Sequence, residues 1–354
     1  YQDLLGLENV RLDREKIGAY LGHQCVMVTG AGGSIGSELC RQICRYRPKT
    51  LLLFERGENL LYHIEIELRS NFPDIEIVPL LADIQDQSQV ERIFGQYRPQ
   101  TVFHAAAYKH VPMLESQPWS PVKNNILGTA NLVDASQKYC VERFVFVSTD
   151  KAVRPANIMG ASKRVAEMLI QNQNCSGQSQ APRFVCVRFG NVVGSAGSVI
   201  PLFQKQIERG GPVTVTHPEV TRYFMMIPEA CQLILQAGGM GQGGEIFILD
   251  MGQSIRIVDI ARDLIRLSGF VPDEEIKIEY TGLRPGEKIF EELMNVDEGV
   301  LPTDHEKIMV VKGEDCELDI LKEKITVLVE AASNQEGEKI RDLFKQLVPG
   351  FQED

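Results

Sequence analysis

The sequence predicts an α/β protein: a doubly wound parallel sheet covered by helices on both faces, followed by a smaller C-terminal domain. Three observations predict it. Short, near-continuous apolar runs alternate with helix-length amphipathic stretches between Gln24 and Arg188, as expected of strands buried on both faces. A glycine-rich turn, Thr29-Gly30-Ala31-Gly32-Gly33-Ser34-Ile35-Gly36, separates the first run from the helix after it. Beyond residue 190 the rhythm breaks into Gly/Pro-punctuated pieces, which suits loops and short helices rather than more sheet.

The predicted strands cover residues 25–29, 50–54, 75–81, 101–104, 144–148 and 184–188. Strands alternating with helices in this way run parallel. The breaks fall at 190–201, 210–218, 238–244 and 281–286. This later region is expected to cap the crevice outside the carboxyl ends of the strands, where ligands of such sheets sit. Residues 1–22 are polar and irregularly patterned and read as a lead-in arm. Residues 23–190 form the sheet domain, joined by parts of 220–260, and 191–354 are mainly the smaller region.

Composition narrows the function. A chain of 354 residues, 44% hydrophobic and 24% charged, can bury a real core. Its net charge of -11 and lack of any Lys/Arg block exclude a nucleic-acid partner, so an anionic ligand needs a local basic pocket. The eight cysteines form no C-x-x-C pair and read as reduced thiols of a cytosolic setting. Cys40 and Cys44 share a helix face without His or carboxylate companions, so they predict a buried pair and no metal site. No signal peptide and no apolar run near the roughly 18 residues of a membrane span are present.

The glycines at 30, 33 and 36 give the spacing G-x-x-G-x-x-G between a strand and a helix. They supply a tight turn, close backbone approach to phosphate and close helix–strand packing. With Ser34 and Ile35 between them, they form the pyrophosphate-binding turn of a Rossmann domain, and the chain is expected to bind a nicotinamide dinucleotide. Glu55 ends the second strand, where a carboxylate accepts from the adenosine ribose hydroxyls, and so favours NAD. The adjacent Arg56 could instead meet a 2′-phosphate, which keeps NADP as the lesser alternative. Asp83 and Ile84, just past the third strand, suit the adenine edge, although Asp83 is equally a helix-entry residue. Ala105 and Ala106 follow the fourth strand on the cofactor side.

The glycine spacing, together with His104-Ala105-Ala106-Ala107, Asn125-Ile126-Leu127-Gly128-Thr129 and Ser148-Thr149-Asp150-Lys151, resembles the extended short-chain dehydrogenase/reductase family. The segment from His104 to Glu115 narrows the resemblance to UDP-N-acetylglucosamine 4,6-dehydratases of polysaccharide biosynthesis. That family carries Tyr-x-x-x-Lys on the helix after the Ser-Thr-Asp strand. Here Met159 stands at the tyrosine position and Lys163 at the lysine. Methionine exchanges no proton, yet Met159-Gly160-Ala161-Ser162-Lys163 resembles the long, membrane-anchored branch, in which methionine stands there in active enzymes. Asp3-Leu4-Leu5-Gly6 resembles the junction after that branch's membrane region. The resemblance thus implies a cytoplasmic catalytic domain, with the full-length protein anchored to the inner membrane by a segment absent from this chain. A homo-oligomer is also implied.

A 4,6-dehydration needs a base for the 4-hydroxyl, a base at C5 and an acid for the departing C6 hydroxyl. By resemblance Asp150 is that acid and Lys151 the C5 base, with a pKa expected to be lowered by desolvation and a nearby cation. The 4-hydroxyl proton is expected to reach Asp150 directly or through Thr149. Lys163, one helical turn past Met159, holds the nicotinamide ribose in the family, or is a surface lysine. Lys109, His110 and Asn125 are candidates for the sugar, with a structural role for His110 equally open. Asn191, Arg222, Arg284 and Glu287 resemble the residues that meet the diphosphate and uridine ribose, and the planar arginine fork suits that work. The resemblance favours retention at C5. An inverting dehydratase, a C4 epimerase and a catalytically silent nucleotide-sugar binder are the alternatives.

Overall fold

In the computed structural model, which describes residues 11–173, 182–294, 299–312 and 317–352, the six apolar runs become parallel strands. They are β1 (Cys25–Thr29), β2 (Thr50–Glu55), β3 (Glu76–Leu81), β4 (Thr101–His104), β5 (Arg143–Val147) and β6 (Arg183–Arg188). Their order is β3-β2-β1-β4-β5-β6. The order reverses between β1 and β4, and a crevice opens at their carboxyl ends. The segment from Asp3 to Gly6, Cys175 and Cys316 lie outside the described residues.

Side chains of β1 alternate between two cores. Val26 and Val28 pack on one face with Leu39, Leu51 and Leu53, while Met27 packs on the other with Leu52, Val102 and Phe144. Helices α1 (Arg14–Leu21), α2 (Ser34–Cys44) and α3 (Glu58–Asn71) cover the first face. Helix α4 (Gln87–Tyr97) covers the second. The expected arm is thus partly helix: Asp13 caps α1 through Lys16 N, Ile17 and Leu21 are fully buried, and the Tyr20 hydroxyl donates to Leu235 O at 2.7 Å. A single short helix with so narrow an apolar stripe carries little periodic signal, which is why the sequence reads as irregular.

After β4 come α5 (Val111–Ser116), α6 (Trp119–Pro121), a π-helical turn (Val122–Leu127), α7 (Gly128–Lys138) and, past β5, α8 (Ile158–Gln171). Beyond β6 the strands are β7 (Asn191–Val193), β8 (Val213–Val215), β9 (Thr221–Arg222), β10 (Phe224–Met226), β11 (Glu245–Leu249), β12 (Ile255–Arg256), β13 (Ile278–Tyr280), β14 (Val300–Pro302) and β15 (Ile308–Lys312). β11 joins β6 in parallel, then β15 and β14 extend the sheet antiparallel. The paired β8/β13 and β9/β12, with α9 (Val199–Glu208) and α11 (Ile257–Leu267), build the smaller unit around Phe203, Val213, Ile260 and Ile265. Between them α10 (Ile227–Met240) returns to the first sheet face beside α1 and α2.

The last helices do not belong to the smaller unit. α12 (Leu318–Ser333) and α13 (Gly337–Leu347) lie outside the π-helical turn and α8, where Leu321, Leu328 and Phe344 pack with Val122, Ile158 and Val165. Among the described residues no helix is long and apolar enough to cross a membrane. Phe344 is fully buried and meets the Phe351 ring edge-on with centroids 6.1 Å apart. Phe344→Ala should lower unfolding stability by about 3–5 kcal/mol, measured by urea denaturation, because its buried ring belongs to the cluster that joins this outer layer to α8.

Candidate active site

At the head of β1, Gly30 has φ +68°, and a Cβ there would stand 2.9 Å from Ala106 N. A Cβ on Gly36 would overlap Gly30 O. Only hydrogens at these two positions let β1, the end of β4 and the start of α2 close on one another. Gly33 caps α2 without a side-chain hydrogen bond, so the helix offers backbone N–H groups and a positive dipole end to an anion.

Glu55 is buried beside this turn. Its Oε2 accepts from Gly32 N at 3.1 Å, and its Oε1 accepts from Arg56 N at 3.0 Å and Gly57 N at 2.9 Å. The carboxylate is therefore fixed in a cavity of about 240 Å³ that also brings together Gly30, Gly33, Arg56, Asp83, Ile84, Ala105 and Ala106. The Arg56 guanidinium lies 4.6 Å from the centre of the Tyr108 ring and 3.9 Å from Asp83 Oδ2. The residues fit a dinucleotide: a side-chain-free phosphate turn at one end and a held carboxylate at the other.

A second cavity, of about 470 Å³, runs on from Gly33, Ser34, Ile35 and Gly36 to Thr149, Lys151, Met159 and Lys163, with Lys109, His110 and Asn191 on its walls. Asp150 opens a 3₁₀ turn just past β5 and is 1% exposed. Its Oδ1 accepts from Thr149 Oγ1 at 2.8 Å and from Lys151 Nζ at 3.0 Å, whereas its buried Oδ2 has no partner. Lys151 Nζ also donates to Asn191 Oδ1 at 3.2 Å and lies 3.4 Å from Glu291 Oε1. Burial disfavours its charge, but Asp150 and Glu291 outweigh burial and the repulsion of Arg222, so its pKa is raised. This corrects the expected lowering: two carboxylates face the amine where the sequence showed one.

Burial lowers the pKa of two other lysines of this cavity, Lys109 and, further, Lys163. Lys163 is buried, donates to Val147 O at 2.7 Å, and sits 3.8 Å from the centre of the Phe146 ring. Desolvation brings its pKa down to about 7 against the opposing pull of Glu167. It is not a surface lysine. Beneath it, Arg188 Nε and Nη2 each donate at 2.8 Å to the Glu167 carboxylate, which also accepts from Ser148 Oγ at 2.6 Å. Burial would raise the Glu167 pKa, and Arg188 reverses it to a lowered value. His104 is held neutral by burial. Thr129 gives its proton to Asn125 O, so His104 Nε2–H donates to Thr129 and Nδ1 accepts from Thr29.

A third cavity, of about 210 Å³, gathers Asn191, Thr216, Arg222, Arg284 and Glu287. The mostly buried Arg222 pairs with Glu287 at 3.4 Å and lies 3.8 Å from Glu291, while Glu287 Oε2 accepts from Arg284 N at 3.2 Å. Gly286 has φ +72°, and its carbonyl accepts from Asn157 Nδ2 at 2.9 Å. Asn157 in turn caps α8 through Gly160 N. Lys288 donates to Arg154 O and Glu292 pairs with Arg154, so residues 284–292 are strapped to the turn that carries Lys151.

Asn125 is a correction. Its oxygen accepts from Tyr108 N and Asn124 Nδ2 and its nitrogen donates to Tyr108 O and Ser162 Oγ. With all four positions spent internally, it braces the Tyr108 loop rather than facing the sugar. His110 stands at the rim under Gly197, whose Cβ would fall 2.6 Å from its ring. Sequence reasoning missed Glu291, the buried Glu167–Arg188 pair, and the second use of Glu115, which accepts from Ile158 N at the start of α8 and from Arg341 Nη1 of α13. Glu115 and Arg188 stood inside recognised segments, but without a partner assigned to either. The rest needed the fold, since their partners are remote in sequence.

The glycine turn, the acid–lysine turn past β5 and the Met-x-x-x-Lys helix define an extended short-chain dehydrogenase/reductase. The chain belongs to the polysaccharide biosynthesis protein family, whose model matches residues 26–313. It is 53% identical to the capsular polysaccharide biosynthesis protein CapD of Staphylococcus aureus over 84% of this chain, and it spans only 49% of that relative's length. It is 31% identical to a Campylobacter jejuni UDP-N-acetylglucosamine 4,6-dehydratase (inverting), with 90% of each chain covered. Among solved structures it is similar to Pen from Bacillus thuringiensis, 35% identical with a TM-score of 0.75, covering 84% of this chain and 90% of that one.

Lys163 yields a stability prediction. Its pKa is about 7 when folded against the usual 10.5, so between those values the unfolded chain binds the extra proton and stability rises with pH. Below about pH 7 both states are protonated and folding bears the full cost of the buried ammonium. Lys163→Met should therefore flatten the rise of stability from about pH 7 to about pH 10, measured by urea unfolding across that range.

Proposed function

We propose that the chain carries out NAD-dependent 4,6-dehydration of UDP-N-acetylglucosamine, giving a UDP-4-keto-6-deoxy sugar for surface-polysaccharide synthesis. The observation that carries this reading is the hydrogen-bonded Thr149–Asp150–Lys151 cluster, whose Thr149 and Lys151 line one cavity with the glycine turn, Met159 and Lys163. The name of the Campylobacter relative, alike over 90% of both chains, supports the substrate. The cytoplasmic setting, a membrane tether outside this chain and self-association belong to the same proposal.

A nicotinamide dinucleotide bound at Gly30, Gly33 and the α2 N-terminus, with Glu55 at its ribose, supplies the hydride acceptor for C4 and the hydride donor for C6. Glu55 already holds its carboxylate toward the cavity and Arg56 is engaged by Tyr108 and Asp83, which favours NAD over NADP. Lys163 positions the cofactor ribose. Arg284 and Arg222 meet the diphosphate and Glu287 the uridine ribose, with Asn191 between them and the sugar.

The 4-hydroxyl proton passes to Thr149 Oγ1 as that hydroxyl gives its own proton to Asp150 Oδ1. Protonation of Asp150 removes one of the two negative charges that hold the Lys151 proton, and so weakens that hold when a base is needed at C5. The loosened Lys151 ammonium then gives its proton to water, and the free amine so formed takes the C5 proton. Asp150 returns the proton from the 4-hydroxyl to the C6 hydroxyl, which leaves as water, and Lys151 reprotonates C5. A single amine acting on one face gives retention. The second reading, inversion, is favoured by the Campylobacter relative's name and needs proton return from the opposite face.

Turnover in deuterated water, followed by NMR, tests both readings: deuterium at C5 with unchanged configuration is expected, the inverted product overturns retention, and unchanged sugar overturns the enzyme. Thr149→Val and Asp150→Asn should each slow reduction of bound NAD at least about a hundredfold, the usual scale of general acid–base catalysis. Rapid-scan absorbance checks this, and undiminished reduction in both variants sinks the relay.

A further inference from the structure

Glu291 lies in no predicted motif, yet its side chain is only 4% exposed and its Oε1 stands 3.4 Å from Lys151 Nζ and 3.8 Å from Arg222 Nε. A carboxylate so desolvated persists only when cations compensate it. Arg222 has a second carboxylate partner in Glu287. Lys151 already has Asp150 on its own turn and the neutral Asn191 from β7. Glu291 therefore adds a charge that neither cation needs for simple pairing, and it reaches the amine from residues 284–292 rather than from the turn that carries Asp150.

The surrounding strap makes this placement rigid. Asn157 holds Gly286, Arg154 O holds Lys288, and Arg154 holds Glu292, the neighbour of Glu291. Each link ties residues 284–292 to the 150–158 segment, and Glu291 is the member of the strap whose carboxylate reaches Lys151.

We propose that Glu291 is a positioning residue for Lys151: its carboxylate, delivered by the strap, fixes the direction of Nζ and sets the pH at which that amine exchanges protons. The charged groups facing Lys151 are Asp150 from its own turn, Glu291 from the strap and Arg222 from β9, while Lys163 shares the cavity from α8. Glu291 and Asp150 both favour the ammonium and Arg222 opposes it. Removing the Glu291 charge while keeping its shape leaves Asp150 alone against Arg222. The catalytic part of this inference rests on Lys151 acting as the C5 base. The titration of Lys151 does not.

The test uses Glu291→Gln and Glu291→Asp in this chain, with two readouts. Competitive acetylation of Lys151 by acetic anhydride across pH, followed by peptide mass spectrometry on the ligand-free protein, reports its titration independently of turnover. In Glu291→Gln the labelling midpoint should fall by about one pH unit, a tenfold change in proton affinity. Glu291→Asp keeps the charge and should keep the midpoint near that of the parent chain. With UDP-N-acetylglucosamine and NAD, the acid limb of kcat should move the same way in Glu291→Gln, with KM changing less than kcat because Arg222 retains Glu287. An unmoved labelling midpoint in a folded Glu291→Gln protein overturns the proposal whatever the activity. A shifted midpoint in a chain that never turns over the sugar supports the positioning of Lys151 and instead counts against the proposed reaction. A shifted midpoint with an unmoved acid limb overturns the role in catalysis.

Discussion

Asp150, Lys151, Glu291, Arg222 and Glu287 alternate in sign along one path from the end of β5 to the smaller unit. Three of these five groups, Asp150, Glu291 and Arg222, are no more than 8% exposed at their side chains. Burying any one charge alone would cost several kcal/mol, so each can be dry only because the next is in place. This mutual dependence fixes where the smaller unit sits over the sheet. It also explains why residues from 150, 222, 287 and 291 meet at one crevice although nothing in their local sequence brings them together.

The parallel sheet was legible almost strand by strand, because buried strands must be apolar along their whole length and Val/Ile/Leu/Phe runs announce that directly. Ends shifted by a residue or so, as at Glu76 and Arg143, where the backbone joins the ladder although the side chain is polar. The lead-in helix was not legible, since Ile17, Tyr20 and Leu21 gain meaning only once α10 supplies the surface they cover. The place of α12 and α13 was equally hidden: their apolar faces predict burial but not which layer accepts them.

The same division holds inside the site. Glycines at 30, 33 and 36 and the run Ser148-Thr149-Asp150-Lys151 act through their own backbone and immediate neighbours, and spacing reveals them. Glu291, 140 positions away in sequence, adds to Asp150 in raising the Lys151 pKa, which is why local reading placed a lowered amine at Lys151 and the fold places one at Lys163. Asn125 misled for the opposite reason. A polar residue in a recognised segment invites a ligand, but a side chain with all its donors and acceptors already satisfied has nothing left to offer one.

The outer helical layer bears on the site through one contact. Arg341 of α13 donates to both the carboxylate and the carbonyl oxygen of Glu115, and the other carboxylate oxygen of Glu115 accepts from Ile158 N at the first residue of α8. Asn157 caps the same helix end while holding Gly286 of the strap. The start of α8 is therefore clamped from the C-terminal layer on one side and from the nucleotide-end loop on the other. Met159 and Lys163 lie within the next turn and a half, too near that clamped end to move independently of it. Where tyrosine is replaced by a methionine that moves no proton, α8 contributes to the cavity by shape and by the placement of Lys163. In the proposed reaction proton movement is left to the turn after β5, which the alternating charges hold in place.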